Sequence, residues 1–62
     1  MIYLLLSSQY SSFIDIADSI SHAQIKAEQF LTDYVGEKPN VLLYEIDAHS
    51  LRKKFVGVVS FH

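Results

Sequence analysis

Two segments of this chain are apolar without interruption. They are Ile2-Tyr3-Leu4-Leu5-Leu6 and Val41-Leu42-Leu43-Tyr44. Successive residues of a strand point to opposite faces of a sheet, so a strand without polar positions is apolar on both faces. Such strands occur where both faces of the sheet are covered. The sequence therefore predicts a sheet that needs cover on two sides.

Only one helix is predicted to supply that cover. Apolar residues recur at spacings of three and four at Ala23, Ala27, Phe30, Leu31 and Tyr34. This spacing is typical of a helix with a single apolar stripe. One helix covers one face of a sheet. The other face is therefore expected to pack against a second copy of the chain or to bind something else.

The helix is predicted to begin at Ser21. Gln24 follows three residues later, which is the spacing of a capping box. Asp18 and Ser19 are alternative caps. Gly36 is well placed to end the helix in a left-handed conformation.

Two further segments, residues 13–16 and 51–61, are interpreted as strands. Residues 13–16 alternate partly and indicate either a short edge strand or the approach to the helix. Residues 41–47 and 51–61 are predicted to form a closing hairpin. In its second strand Phe55 and Gly57 are expected to point to the same side, with Phe55 in the core. A glycine inside a strand also suggests a bulge or the close approach of another backbone.

The order of these elements predicts an α+β fold. We expect a small, mainly antiparallel sheet of three or four strands with one helix on one face. The order is β-β-α-β-β, or β-α-β-β if residues 13–16 are not a strand. Residues 1–62 are expected to form a single compact domain, because a chain of 62 residues is too short for two.

A domain of this size is marginally stable alone and usually has an additional stabilising device. Cysteine is absent, which excludes disulfides and thiolate zinc sites. Association with another copy of the chain is the remaining way to stabilise the domain. The strands that are apolar on both faces favour the same conclusion.

The overall charge excludes some classes of partner. Half of the residues are hydrophobic, 19% are charged and the net charge is −2. A chain with this balance has no basic field to attract nucleic acid, so that function is not expected. No apolar run reaches the roughly 20 residues that span a bilayer, and the first residues lack the basic region of a signal peptide. A cytoplasmic location is therefore expected.

No catalytic motif is recognisable. His22, His49 and His62 are too far apart in sequence to form a helical metal site. There is no G-x-S-x-G motif, and the two isolated glycines do not form a phosphate-binding loop. The chain is therefore not expected to be an enzyme or to bind a metal or cofactor.

The candidate contact residues are few. Arg52, Lys53 and Lys54 form the one dense basic run, which could contact phosphate or an acidic partner. The alternative is that these charges protect an edge strand from aggregation. Tyr10, in a serine-rich turn, is a candidate anchor because tyrosine is enriched at interfaces. His49 lies in the predicted turn just before the basic run.

In outline the chain resembles small accessory and inhibitor proteins encoded by bacteriophages. The segments that carry this resemblance are the opening strand, the capped helix start and the closing hairpin, namely Met1-Ile2-Tyr3-Leu4, Ser21-His22-Ala23-Gln24, and Leu43-Tyr44-Glu45-Ile46-Asp47 with Phe55-Val56-Gly57-Val58-Val59. The resemblance implies a non-enzymatic protein that binds and inhibits a host enzyme or defence component in the host cytoplasm.

Taken together, these patterns predict a homodimeric binding module that acts by protein–protein association. The second sheet face would make the self-contact, and edges or loops would meet a larger host or cellular protein. A last strand at the edge could also recruit a partner by strand addition. Sequestration of a small ligand or nucleotide at the dimer interface is the alternative function.

Overall fold

A computed structural model describes residues 1–61. Four antiparallel strands form one sheet in the order β2-β1-β3-β4. Their bounds are β1 (Ile2–Ser7), β2 (Phe13–Ala17), β3 (Val41–Ile46) and β4 (Lys53–Val59), and the helix α1 (Ile20–Asp33) follows β2. The predicted α+β fold is confirmed in its β-β-α-β-β form, and the segment at residues 13–16 is a strand.

Helix α1 packs on one face of the sheet, which we call the helix face. Ala23, Ala27 and Leu31 are its buried residues. Two of the three are alanines, so the helix axis lies close to the sheet. The sheet residues of this core are Tyr3, Leu5, Ala17, Val41 and Leu43. The predicted apolar stripe is therefore confirmed for its members within α1, with Phe30 partly buried, whereas Tyr34 lies beyond the end of the helix.

The helix begins two residues earlier than the capping-box pattern predicts. Its N-cap is Ser19, whose side-chain oxygen accepts a 3.1 Å hydrogen bond from the backbone N–H of His22. Ser21 lies inside the first turn. The prediction of Ser21 as the cap is wrong because Ser19 already satisfies an N–H group that the helix leaves unpaired.

Replacing the cap is expected to destabilise the fold by a measurable amount. Ser19→Ala should lower the free energy of unfolding by about 1 kcal/mol, the usual effect of removing a serine cap. Ser21→Ala is the matched control and should change it by less than about 0.5 kcal/mol. Urea denaturation followed by circular dichroism measures both values. Equal losses for the two variants would contradict the assignment of Ser19.

The helix ends without a glycine cap. Its C-cap, Tyr34, is extended, and Gly36 adopts a left-handed conformation (φ +102°) two residues beyond it. The side-chain amine of Lys38 instead donates hydrogen bonds to the carbonyls of Leu31 and Tyr34. A cation therefore satisfies carbonyl groups at the negative end of the helix.

Bulges in both edge strands change which residues share a face. In the pairing of β3 with β4, Leu43 lies opposite Gly57 while Tyr44 lies opposite Phe55, so one extra residue is inserted in β4. The bulge suggested by the glycine is confirmed. Phe55 and Gly57, however, lie on opposite faces, so the expectation that they share one is wrong. Phe55 is also half exposed (53%) and not a core residue.

Candidate functional site

The face of the sheet opposite the helix has no cover from residues 1–61. We call it the open face. Strand alternation and register assign eleven residues to it: Ile2, Leu4, Leu6, Phe13, Ile16, Leu42, Tyr44, Ile46, Lys53, Phe55 and Val58. Ten of these eleven residues are apolar, and Lys53 is the exception. The strands predicted to be apolar on both faces therefore contribute to one continuous apolar surface.

These residues form three rows across the strands. Two rows are complete and entirely apolar, namely Ile16-Leu4-Tyr44-Phe55 and Phe13-Leu6-Leu42-Val58. The third row runs from Ile2 through Ile46 to Lys53. Neighbouring side chains in a row lie close enough to pack against each other. Leu6 is accordingly buried although it does not belong to the core under the helix.

Much of the open face is accessible to solvent. The largest exposures at its margins are those of Phe13 (66%) and Phe55 (53%), and Ile2, Ile16 and Val58 are each nearly half exposed. Single exposed apolar residues are common on protein surfaces, but a contiguous apolar patch marks an interaction site. The open face therefore has the character of a contact surface.

An aromatic pair and a cation occupy one side of the open face. The rings of Tyr44 and Phe55 pack edge to face with their centroids 5.6 Å apart. The amine of Lys53 lies 4.9 Å from the centroid of the Tyr44 ring. An ammonium group over an aromatic ring is attracted to it. Lys53 thus lies over one corner of the open face.

The two edges of the sheet are protected against pairing with another strand. On β2, the backbone N–H of Ile16 donates to Asp15 Oδ1 (2.7 Å) and its carbonyl accepts from Lys26 Nζ (2.8 Å). On β4, Lys53 and Lys54 begin the strand and a bulge follows them. Lysines and bulges are devices that discourage edge-to-edge association. The open face, in contrast, has no comparable protection.

The candidate contact residues do not form one cluster. His49, Arg52, Lys53 and Lys54 lie together in and beside the turn between β3 and β4. Tyr10 lies in the turn between β1 and β2, at the opposite end of the sheet. The basic run itself divides between the two faces, because Lys53 is opposite Ile46 and Lys54 is opposite Glu45.

Tyr10 is nevertheless the most prominent single side chain of its turn. It is 92% exposed, and both Tyr10 (φ 64°) and Ser11 (φ 50°) have left-handed backbone conformations. Two successive left-handed residues are typical of the tight turns that join antiparallel strands. Hydrogen bonds from Ser7 N–H to the Ser12 carbonyl (2.8 Å) and from Ser12 Oγ to the Gln9 carbonyl (3.1 Å) close the turn.

Two exposed carboxylates near the ends of strands have hydrogen-bond partners. His22 Nδ1 lies 2.9 Å from Asp18 Oδ1, and this hydrogen bond lowers the pKa of the Asp18 carboxyl. The backbone N–H of His49 donates to Asp47 Oδ1 (2.9 Å) and lowers the pKa of that carboxyl. Both groups are therefore anionic at neutral pH.

A cavity of about 570 Å³ lies beside the end of the open face and includes Ile2, Glu45, Ile46 and Asp47 in its lining. Its carboxylates oppose the binding of phosphate. Within residues 1–61 no group of three or more His, Cys, Asp or Glu side chains could hold a metal ion, and no helix is long and apolar enough to cross a membrane. His62 lies outside the described residues.

Comparisons with known proteins do not assign the chain to a family. No protein-family model, no curated protein and no solved structure matches it significantly. The interpretation of the open face therefore depends on its own geometry.

Two of the most exposed residues of the open face, Phe13 and Phe55, were not predicted from the sequence. Strict alternation would place Phe13 on the face opposite Ile16 and Phe55 in the core, but a bulge interrupts the alternation in each of the two edge strands. The glycine two residues after Phe55 was a signal for the second bulge. No comparable signal marks the first, since residues 13–16 contain neither glycine nor proline.

Proposed function

We propose that this chain is a non-enzymatic association module that works as a homodimer, with the open face of one copy packed on the open face of another. The observation that carries the proposal is the continuous apolar surface of two complete rows of four residues. Removing that surface from water provides the driving force for association.

The extent of the open face is appropriate for a dimer. Its five most exposed residues are about half exposed or more, and most of the others are partly exposed. We estimate roughly 600 Å² of accessible surface per copy, given about 150–250 Å² for a whole aromatic side chain. Two copies would then bury about 1,200 Å², the lower end of the range for stable protein interfaces.

The protected edges favour packing of faces over addition of strands. A partner strand on β2 would have to displace the contacts of Asp15 and Lys26 with Ile16. A partner strand on β4 would meet Lys53, Lys54 and the bulge. Two sheets packed face to face, with about 10 Å between them, require neither change. The resulting dimer is a sandwich with one helix on each outer side.

A dimer of this kind leaves both turns of each copy accessible. Tyr10 lies in one turn, and His49 and Arg52 lie in the other. These exposed turn residues are the proposed contacts for a larger protein, the role implied by the resemblance to phage accessory proteins. Sequestration of a nucleotide is not favoured, because the cavity at the end of the open face is lined by Glu45 and Asp47.

The molar mass of the unmodified chain in solution tests this proposal. Light scattering coupled to size-exclusion chromatography should give twice the chain mass of 7.1 kDa, with a fall toward 7.1 kDa on dilution. A mass of one chain at every concentration up to the solubility limit would overturn the homodimer. Circular dichroism of the same samples verifies that the chain is folded when its mass is measured.

A further inference from the structure

The open face also contains information on how two copies are oriented. This inference rests on the proposed homodimer. In a symmetric pair of sheets the two-fold axis lies between them. If the axis runs parallel to the strands, β1 faces the β3 of the second copy, β2 faces its β4, and each row faces the same row. If the axis runs across the strands, each strand faces its own equivalent and the two ends of the sheet are exchanged.

Lys53 distinguishes the two arrangements because it is the one charged residue of the open face. It occupies the β4 end of the row that begins with Ile2. If the axis runs across the strands, Lys53 faces the β4 end of the row that contains Val58 in the second copy. The lysine amine would then lie beside apolar side chains at the rim, with no anionic group opposite it.

If the axis runs parallel to the strands, Lys53 faces the β2 end of the equivalent row in the second copy. Asp18 lies just beyond that end, because it directly follows the last residue of β2. It lines a surface cavity with Ile2 and Ile16 on the side of the sheet and with His22 and Lys26 on the side of α1. Its side chain is 83% exposed, and one of its oxygens accepts from His22. A carboxylate has four acceptor positions on two oxygens, so it can bind an amine at the same time.

We infer that the two-fold axis of the dimer runs parallel to the strands and that Lys53 of each copy pairs with Asp18 of the other. A long lysine and a short aspartate together span the spacing of about 10 Å between packed sheets. The apolar rows remain matched in this arrangement, because Leu4 faces Tyr44 and Leu6 faces Leu42 of the second copy. The pair occurs twice by symmetry, at opposite corners of the interface. It therefore selects the orientation of the copies as well as contributing to affinity.

Charge reversal tests this pairing through the dissociation constant of the dimer, measured by sedimentation equilibrium. Lys53→Glu and Asp18→Lys should each weaken the dimer about tenfold, because each places two like-charged pairs at the interface. The double variant with both changes restores opposite charges and should return to within about threefold of the unmodified chain. Both losses should shrink at high salt because these pairs lie at the rim.

Two control variants separate local pairing from net charge. Lys54→Glu changes the neighbouring residue on the helix face, and Asp33→Lys changes an exposed residue at the far end of α1. Neither should weaken the dimer by more than about twofold. Asp18→Asn, which retains the size of the side chain, replaces Asp18→Lys if circular dichroism shows loss of the helix.

The outcomes distinguish this inference from the proposal on which it rests. A double variant that dimerises no better than the single variants would overturn the pairing and leave the homodimer intact. The same holds if the single variants dimerise as tightly as the unmodified chain. A monomeric unmodified chain would overturn both.

Discussion

Leu31→Ala is expected to lower the free energy of unfolding by about 3 kcal/mol, which is enough to unfold much of a domain this small. Leu31 is 1% exposed and is one of the few large side chains that the fold encloses completely. Its removal leaves a cavity between α1 and the sheet that the neighbouring alanines cannot fill. Thermal and urea unfolding followed by circular dichroism measure the loss.

Ile25→Ala is the matched control on the same helix. Ile25 is 59% exposed, so the change should alter the free energy of unfolding by less than about 0.5 kcal/mol. Similar losses for the two variants would show that α1 does not present Leu31 to the sheet. The helix face would then not be the core.

Phe55→Glu is expected to separate the dimer into folded monomers. The substitution places a carboxylate within a complete apolar row of the open face. Association would have to remove that charge from water against the apolar row of the second copy, so the dissociation constant should rise by at least about a hundredfold. Folding of the monomer should lose only the contact of Phe55 with Tyr44, because Phe55 is already half exposed.

Phe61→Glu is the matched control for this change. Phe61 is exposed to almost the same extent (51%) but lies on the helix side of the sheet, where it lines a cavity with Leu31 and has Lys38 Nζ 4.5 Å from its ring centroid. It should leave the dimer intact, as light scattering will report. Loss of the dimer in both variants, or in neither, would contradict the assignment of the contact to the open face.

The architecture was largely predictable because it depends on periodic patterns. The uninterrupted apolar runs at residues 2–6 and 41–44 predicted strands that are apolar on both faces, and β1 and β3 contribute apolar residues to both faces of the sheet. The helical stripe required one buried helix face. Both conclusions follow from spacing alone and do not depend on the detail of any contact.

Local hydrogen bonding was harder to predict. The capping box at Ser21 is a valid local pattern, but Ser19 has the extended conformation that a cap requires. The helix end is similar, since Lys38 reaches the last carbonyls from four residues beyond Tyr34. Which of several nearby residues caps a helix end depends on the path of the chain between the helix and the sheet. That path is set by packing and is not encoded in a local sequence pattern.

The existence of the candidate site was predictable, but its composition was not. Two-faced strands indicated a second apolar face, whereas the residues on its margins depend on the bulges in β2 and β4. A one-residue insertion moves every following side chain to the other face. This is why Phe55 moved from the expected core to the surface. It is also why Phe13 and Ile16, three residues apart, share the open face.

The central claim is that the open face is buried against a second copy in solution. Covalent footprinting of the unmodified chain with a photogenerated carbene, read by mass spectrometry, tests it most directly. Phe55 and Phe61 are equally exposed in the isolated chain, so each is a reference for the other. We predict that Phe55 is labelled much less than Phe61 at high concentration and that the difference disappears on dilution. Equal labelling of both residues at every concentration would contradict the claim.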